Sequence, residues 1–159
     1  MHYAITCPSP VGPLTIASDG QAIVGLWIQG QRYFAAGFSA FCPGDGIPVL
    51  AAAQTWLEQY FAGARPDPGQ LPLRPAGTPF RLAVWEVLRQ IPYGTTVTYG
   101  AVAQEAAAKL GRATASSRAA GNAVGHNPIS ILIPCHRVVG ADGRLTGYAG
   151  GLPAKEWLL

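Results

Sequence analysis

Apolar and polar positions alternate in short runs through the first 34 residues and then change to a helical spacing. HYAIT, PLTIAS and AIVGLWI are β-branched stretches broken by the turn-forming PSPVG and SDGQ, which predicts a meander of three strands over residues 3–34. Residues 35–47 contain Gly and Pro and read as loop. From Pro48 to Phe61 the apolar positions Val49, Leu50, Ala53, Trp56, Leu57, Tyr60 and Phe61 predict an amphipathic helix, ended by Gly63. The stretch ARPDPGQLPLRPAGTP is too dense in Pro and Gly for regular helix and reads as an extended connector between two lobes.

The second lobe starts at Thr78. Thr78 with Pro79 is an N-cap and first-turn pair for a helix whose buried stripe is Phe80, Val84, Trp85, Val87 and Leu88. That helix stops at IPYG. TTVTY follows, then an Ala-rich helix from about Tyr99 to Leu110, the turn GRATAS, and a short helix in SSRAAGNAVG. Two short helices joined by a tight turn suggest helix-turn-helix, although two plain core helices would give the same pattern. After His126, NPISILIPCHRVVG predicts a loop, a buried strand-like segment, and Cys135 on a turn forced by Pro134. ADGRLTGYAGG is Gly-rich and able to follow a ligand closely, and LPAKEWLL predicts a final helix. The expected division is an α/β unit with its connector over residues 1–77 and a mainly helical unit over 78–159.

Composition narrows the class. At 159 residues, 49% of them apolar, the chain can bury a core as one domain or as two small ones sharing it. No apolar run is long enough to span a bilayer, and MHYAITCPSPVG lacks a signal-peptide pattern, so no membrane partner and a cytoplasmic location are expected. Three cysteines (Cys7, Cys42, Cys135) without a close pair argue against a disulfide framework or a thiolate zinc cluster. His2, Cys7 and Cys42 do not make a convincing ligand set, and Cys7 reads as a strand residue, so no metal is expected. The net charge of +3 is unevenly placed: three basic against four acidic side chains through residue 79, eight against four from Phe80 onward. A polyanion would dock on the C-terminal half.

Cys135-His136 is the most informative pair. A thiol is a useful nucleophile only as thiolate, a form favoured by a neighbouring imidazole and by the cationic Arg137. On extended backbone adjacent side chains point apart, so contact between the two would require a bend or a bridging water. Arg118 opens a helix whose next residues are Ala119, Ala120, Gly121, Asn122, Ala123, Val124 and Gly125. Such a face can press its backbone close to another surface, either a nucleic acid groove or a neighbouring helix.

PCHRV at 134–138, preceded by NPISILI and followed by GRLTGYAGGLPAKEWLL, closely resembles the O6-alkylguanine-DNA alkyltransferases, also called methylated-DNA–protein-cysteine methyltransferases. The resemblance runs from about Thr78 to Leu159, through FRLAVWEVLRQIPYG and TVTYGAVA, and the N-terminal SPVGPLTIASDG is similar to bacterial members. It implies a ribonuclease H-like α/β domain with a small antiparallel sheet, then a mainly α winged helix-turn-helix domain. The implied activity is DNA repair by one irreversible alkyl transfer from O6-alkylguanine, or O4-alkylthymine, to Cys135 after base flipping, with no cofactor. The implied partner is double-stranded DNA bound by a monomer.

Residue by residue, Cys135 matches the alkyl acceptor and His136 the base that takes its proton through a water. Asn127 matches the brace between recognition helix and active-site segment. Tyr99 matches the hydroxyl that protonates or hydrogen-bonds the departing guanine and crowds the phosphate. Arg118 matches the side chain filling the space of the flipped base, and the helix bearing Ala119 and Gly121 matches the element lying in the minor groove. Tyr148 matches a pocket wall, with Ala149 and Gly150 on its rim. The carbonyls of Cys135 and Val138 match acceptors for the guanine amino group, and Arg137 is grouped with the DNA-binding residues. The family usually places a histidine-orienting glutamate shortly after WLL, a position the sequence does not reach. A non-catalytic module that flags alkylated bases is the alternative within this resemblance. A Cys-His acyl hydrolase is a third reading, but it requires an oxyanion hole that nothing else in the sequence suggests.

Overall fold

The computed structural model of the chain describes residues 1–140 together with Lys155 and Leu158. The alternating runs form β1 (Tyr3–Cys7), β2 (Leu14–Ser18) and β3 (Ile23–Ile28), paired as the expected antiparallel meander with Ile5 opposite Ile16 and Ile16 opposite Leu26. Part of the expected 35–47 loop is instead a two-residue strand, β4 (Cys42–Pro43), which adds parallel to β1 and gives the order β3-β2-β1-β4. The cause is apolar: Phe38 and Phe41 lie 5.5 and 6.0 Å from the Trp27 ring and cover the sheet's outer face. β3 is consequently buried at every position.

The other face of the sheet is covered by α1 (Pro48–Phe61), which buries Leu50, Ala53, Trp56, Leu57 and Tyr60. Gly63, at φ +89°, takes the left-handed conformation that ends it. The connector is extended apart from one 3₁₀ turn, Pro68–Gln70. It is tied down at two points. The Trp56 indole donates to Asp67 O at 3.0 Å, and Leu73 bridges to Ile23, whose N–H donates to Pro72 O at 2.8 Å.

Three helices, α2 (Pro79–Arg89), α3 (Tyr99–Lys109) and α4 (Ser117–Gly125), pack on one another, and each begins at a hydroxyl cap: Thr78, Thr98 and Ser116. The small face of α4 gives it little core of its own. It is held by the Trp85 indole, which donates to Ala123 O at 2.8 Å. Between these helices β5 (Val97–Thr98) pairs in parallel with β6 (Val138–Val139).

The strand-like reading of ISILI is overturned. Residues 129–133 form turns in which Leu132 N–H donates to Ser130 O and Ile133 N–H to Ile129 O, and Ile131 adopts φ +70°. Ile129 alone keeps a strand contact, a bridge to Leu26. That bridge joins the two halves: Leu26 N–H donates to Pro128 O and Ser130 N–H to Leu26 O, both at 2.9 Å. The buried Gln31 oxygen accepts from Ile28 N–H at 2.7 Å and from the Ser130 hydroxyl at 3.4 Å. One apolar core runs through Leu26, Leu50, Trp56, Trp85, Val102 and Ile133. Lys155 and Leu158 are helical, while the remainder of the expected final helix and the Gly-rich stretch from Ala141 lie outside the described residues. No helix among the described residues is long and apolar enough to cross a membrane.

Replacing Gln31 by Leu would leave the buried Ile28 N–H without its acceptor. A loss of about 1–3 kcal/mol of unfolding free energy is expected in denaturant melts, since an unsatisfied buried donor bears its full desolvation cost. An unchanged midpoint would show that this join is not held as described.

Candidate active site

Pro134 breaks the preceding turn, and Cys135–Arg137 then wind into a single 3₁₀ turn leading into β6. This bend replaces the extended backbone on which neighbouring side chains would diverge. Cys135 is 3% exposed and His136 1%. The Val138 N–H donates back to Cys135 O, closing the turn.

Asn127 follows the end of α4 and braces the whole segment. Its side-chain amide donates to Ile133 O at 2.8 Å and to Ile129 O at 3.4 Å, while its oxygen accepts from Ile129 N–H at 3.0 Å. These bonds join the residue that follows α4 to the backbone two residues before Cys135. The competition of one buried amide for these backbone groups also explains why ISILI cannot be a strand.

Tyr99 opens α3 immediately after β5, so the pairing of Val97 with Val138 brings it to the cysteine turn. Its ring lies against α4: a Cβ on Gly121 would be 3.8 Å from it. Arg118 and Ala119 are exposed on α4, and they border a groove of about 430 Å³ with Thr78, Phe80, Arg81 and Asn122. Arg81 donates to Asn122 Oδ1 at 3.3 Å, and the Arg112 guanidinium lies 6.0 Å over the Phe80 ring. Three arginines therefore surround the exposed side of the small-faced helix.

Arg137 goes elsewhere. Its guanidinium donates to Ile91 O at 2.7 Å and lies 5.5 Å over the Tyr93 ring. Burial opposes its charge, and Tyr60 and Tyr93 support it. It clamps the turn to the loop after α2, a placement that gives no support to the DNA contact expected of it. Tyr148, Ala149 and Gly150 lie outside the described residues.

The electrostatics hold a residue that the sequence reading passed over. Lys155 is 0% exposed, and its ammonium donates to Val138 O at 2.6 Å and lies 5.8 Å from the Tyr99 ring centroid. The carbonyl expected to receive a guanine amino group thus already accepts one bond, with a second lone pair remaining. A signal existed in the sequence: Lys155 and Leu158 share one face of an apolar helix. Burial, then the charges of Arg137 and Lys155, push the His136 imidazole down to about 3. His136 is therefore neutral near pH 7, and neither ring nitrogen has a hydrogen-bond partner among the described residues. A neutral imidazole offers one donor and one acceptor, suited to relaying a proton rather than storing it. Among the described residues no three His, Cys, Asp or Glu side chains gather as metal ligands; His2 stacks edge-on against Phe38 at 4.9 Å.

Comparison with known proteins agrees with this architecture. Residues 1–75 match the 6-O-methylguanine DNA methyltransferase ribonuclease-like domain, and residues 79–159 match the DNA binding domain of the same family. A methylated-DNA–protein-cysteine methyltransferase from Shigella flexneri is 52% identical over 158 residues, covering 95% of this chain and 90% of the relative. One from Haemophilus influenzae is 44% identical over 157 residues, covering 99% and 84%. The crystal structure of Mycobacterium tuberculosis OGT in complex with DNA superposes with a TM-score of 0.84 at 40% identity, covering 99% of this chain and 90% of that one.

The depressed histidine makes stability depend on pH. In the unfolded chain the imidazole takes a proton near its ordinary value of about 6.5; in the folded protein it does so only near 3. Between these values the unfolded state holds the extra proton, so this contribution is complete above the upper value and is lost as pH falls towards the lower one. The loss reaches at most about 1.4 kcal/mol per pH unit. Denaturant melts from about pH 8 to about pH 4 should show a shallower decline for His136→Gln than for the parent chain. Equal slopes would contradict a buried neutral imidazole.

Proposed function

Since the chain belongs to the 6-O-methylguanine DNA methyltransferase family, we propose that it repairs alkylated DNA by taking the alkyl group of O6-alkylguanine onto Cys135, once per molecule. The observation that carries this reading is the convergence on one turn of Cys135, His136 and the Asn127 brace, beside Tyr99 and the exposed arginine helix α4. We place the boundary between the α/β unit and the helical unit at residues 77 and 78, where the connector ends at the Thr78 cap.

The DNA partner is engaged through α4. Arg81, Arg112 and Arg118 supply positive charge for phosphates, and the small residues Ala119 and Gly121 let the helix backbone approach a groove closely. With Cys135 only 3% exposed, a base inside a stacked duplex cannot reach it, and the reading requires the nucleotide to turn out of the helix. Unstacking costs a few kcal/mol, and Arg118 offsets part of it by filling the vacated space.

At the sulfur the chemistry is a displacement at saturated carbon. The S–C bond forms as the O6–C bond breaks, the electron pair leaves with the guanine, and Tyr99 hydrogen-bonds the developing anion. His136 relays the thiol proton, which ends on the dealkylated guanine, still joined to its deoxyribose. The product thioether has no route to hydrolysis, so no turnover follows. The remaining lone pair of Val138 O and the carbonyl of Cys135 accept from the guanine amino group, a donor that adenine lacks. Tyr148, Ala149 and Gly150 complete the pocket on the family pattern, and the active species is a monomer in the cytoplasm.

A non-catalytic module that binds alkylated bases is the second reading, favoured by the neutral imidazole, whose ring nitrogens have no hydrogen-bond partner among the described residues. Intact mass separates the two. Incubated with an O6-methylguanine duplex, the chain should gain one CH2 on the Cys135 peptide, the yield should plateau at one methyl per molecule, and Cys135→Ser should gain nothing. Binding without mass change would favour the module, and continuing turnover would remove both.

A further inference from the structure

A cavity of about 310 Å³ is enclosed by α1, the connector, the loop after α2 and the cysteine segment. It shares no lining residue with the groove beside α4. Trp56 and Tyr60, 5% and 7% exposed, form its buried wall and stack at 5.5 Å. Tyr93 stands at the rim, 44% exposed, and meets the Tyr60 ring edge-on at 6.1 Å. Ile131, Leu132 and Pro134 add an apolar wall from the segment that leads to Cys135. The volume lies at the lower end of small-molecule sites, about 300–1000 Å³, so a compact ligand fits.

Arg65, Arg89 and Arg137 bring their charge to this lining. Arg65 lies 4.7 Å over the Tyr93 ring and Arg137 5.5 Å over the same ring. A guanidinium resting on an aromatic ring keeps its N–H edge for an acceptor in its own plane, the geometry an oxyanion fits. Among the described residues Arg65 makes no ion pair. Arg89 has Glu86 at 3.7 Å, a half-exposed pair of the weak kind. The acidic residue of the lining is Asp67, whose Oδ1 accepts from Gly69 N–H at 2.9 Å. Three guanidiniums against this carboxylate leave two positive charges. A phosphate monoester, carrying about −1.5 to −2 near neutral pH, matches that excess; a carboxylate meets only part of it. Burial opposes the charge of Arg137, so an anion here relieves a cost the fold already bears.

We propose that this cavity is a second binding site, taking a phosphate monoester joined to a planar aromatic body, as in a mononucleotide. The phosphate meets Arg65 and Arg89 at the rim, and the aromatic body lies along the apolar wall. Arg137, which already donates to Ile91 O, lends its charge from within. No bond is made or broken there. The site is independent of the α4 groove and stands whether or not the chain transfers an alkyl group.

Adenosine 5′-monophosphate is the probe, since adenine lacks the amino donor assigned above to the guanine pocket. The Trp56 indole N–H, which donates to Asp67 O at 3.0 Å, reports from the cavity itself. Titration of the full chain, followed in ¹H–¹⁵N spectra, should move the Trp56 indole and Arg65 Nε signals along one saturable curve. Adenosine, which lacks the phosphate, and inorganic phosphate, which lacks the ring, should each bind about tenfold more weakly or worse. Arg65→Gln and Arg89→Gln, neither in the core, should each weaken binding about tenfold, as loss of one charged partner does. Arg118→Gln on α4 should bind the probe as the parent does, and added salt should weaken binding throughout.

The same chemistry occurs at the end of a DNA strand, and a short single strand bearing a 5′-phosphate separates the two sources. Tighter binding than adenosine 5′-monophosphate assigns the site to a strand end and weaker binding to the free nucleotide; both uphold it. A titration that leaves the Trp56 indole unmoved, or that depends on Arg118 and not on Arg65, would overturn the proposal. So would adenosine or inorganic phosphate binding as tightly as the nucleotide.

Discussion

Ile131 holds a left-handed backbone, φ +70°, that a β-branched residue adopts only under constraint. Such a conformation costs of the order of 1–3 kcal/mol and persists only where the surroundings over-determine it. Here they do. Asn127 takes three bonds with the backbone on either side of Ile131, and Leu26 pairs with Pro128 and Ser130 from the N-terminal sheet. The cysteine turn starts two residues beyond the last of these contacts. The position of the sulfur is therefore set by a strained loop that both halves of the chain hold.

This gives the N-terminal unit a physical role without placing any of its residues at the reacting atoms. β3 is buried on both faces, by α1 on one and by Phe38 and Phe41 on the other, and its outer edge is used by the connector and by Ile129. A strand fixed on every side is a rigid anchor. From the opposite direction β6 pairs with β5, and Arg137 clamps the turn to Ile91 O. The segment bearing Cys135 is positioned by hydrogen bonds to three separate parts of the chain, as a group that must meet a substrate atom within a fraction of an ångström requires.

Much of this was legible in the sequence. The helix from Pro48 to Phe61 follows the apolar spacing because Pro48 can start it and Gly63 can end it, and Thr78-Pro79 capped α2 as expected. Elements of this kind are set by local rules. ISILI was misread because its apolar run satisfies a strand and a buried turn equally; the decision belongs to one amide, Asn127, acting at short range against the ladder. β4 was missed because it depends on aromatic packing against Trp27, a contact between distant parts of the chain. Lys155 was missed for the same reason. A lysine in a sequence reads as solvent-facing, and only the fold reveals the Val138 carbonyl waiting for it.

On the proposed reading, the charge pattern of the site suits a reaction that runs once. An enzyme that turns over must regenerate its nucleophile, which calls for an ionisable base that cycles near neutral pH and for access by water. Neither property is found among the described residues: His136 stays neutral down to about 3, and Cys135 and His136 are almost wholly buried. Burial strengthens each electrostatic contact at the sulfur. On the proposed reading, that is sufficient for one displacement and offers nothing for a second. On the same reading, a buried sulfur and an imidazole reluctant to hold a proton would make a poor hydrolase and suit a single displacement.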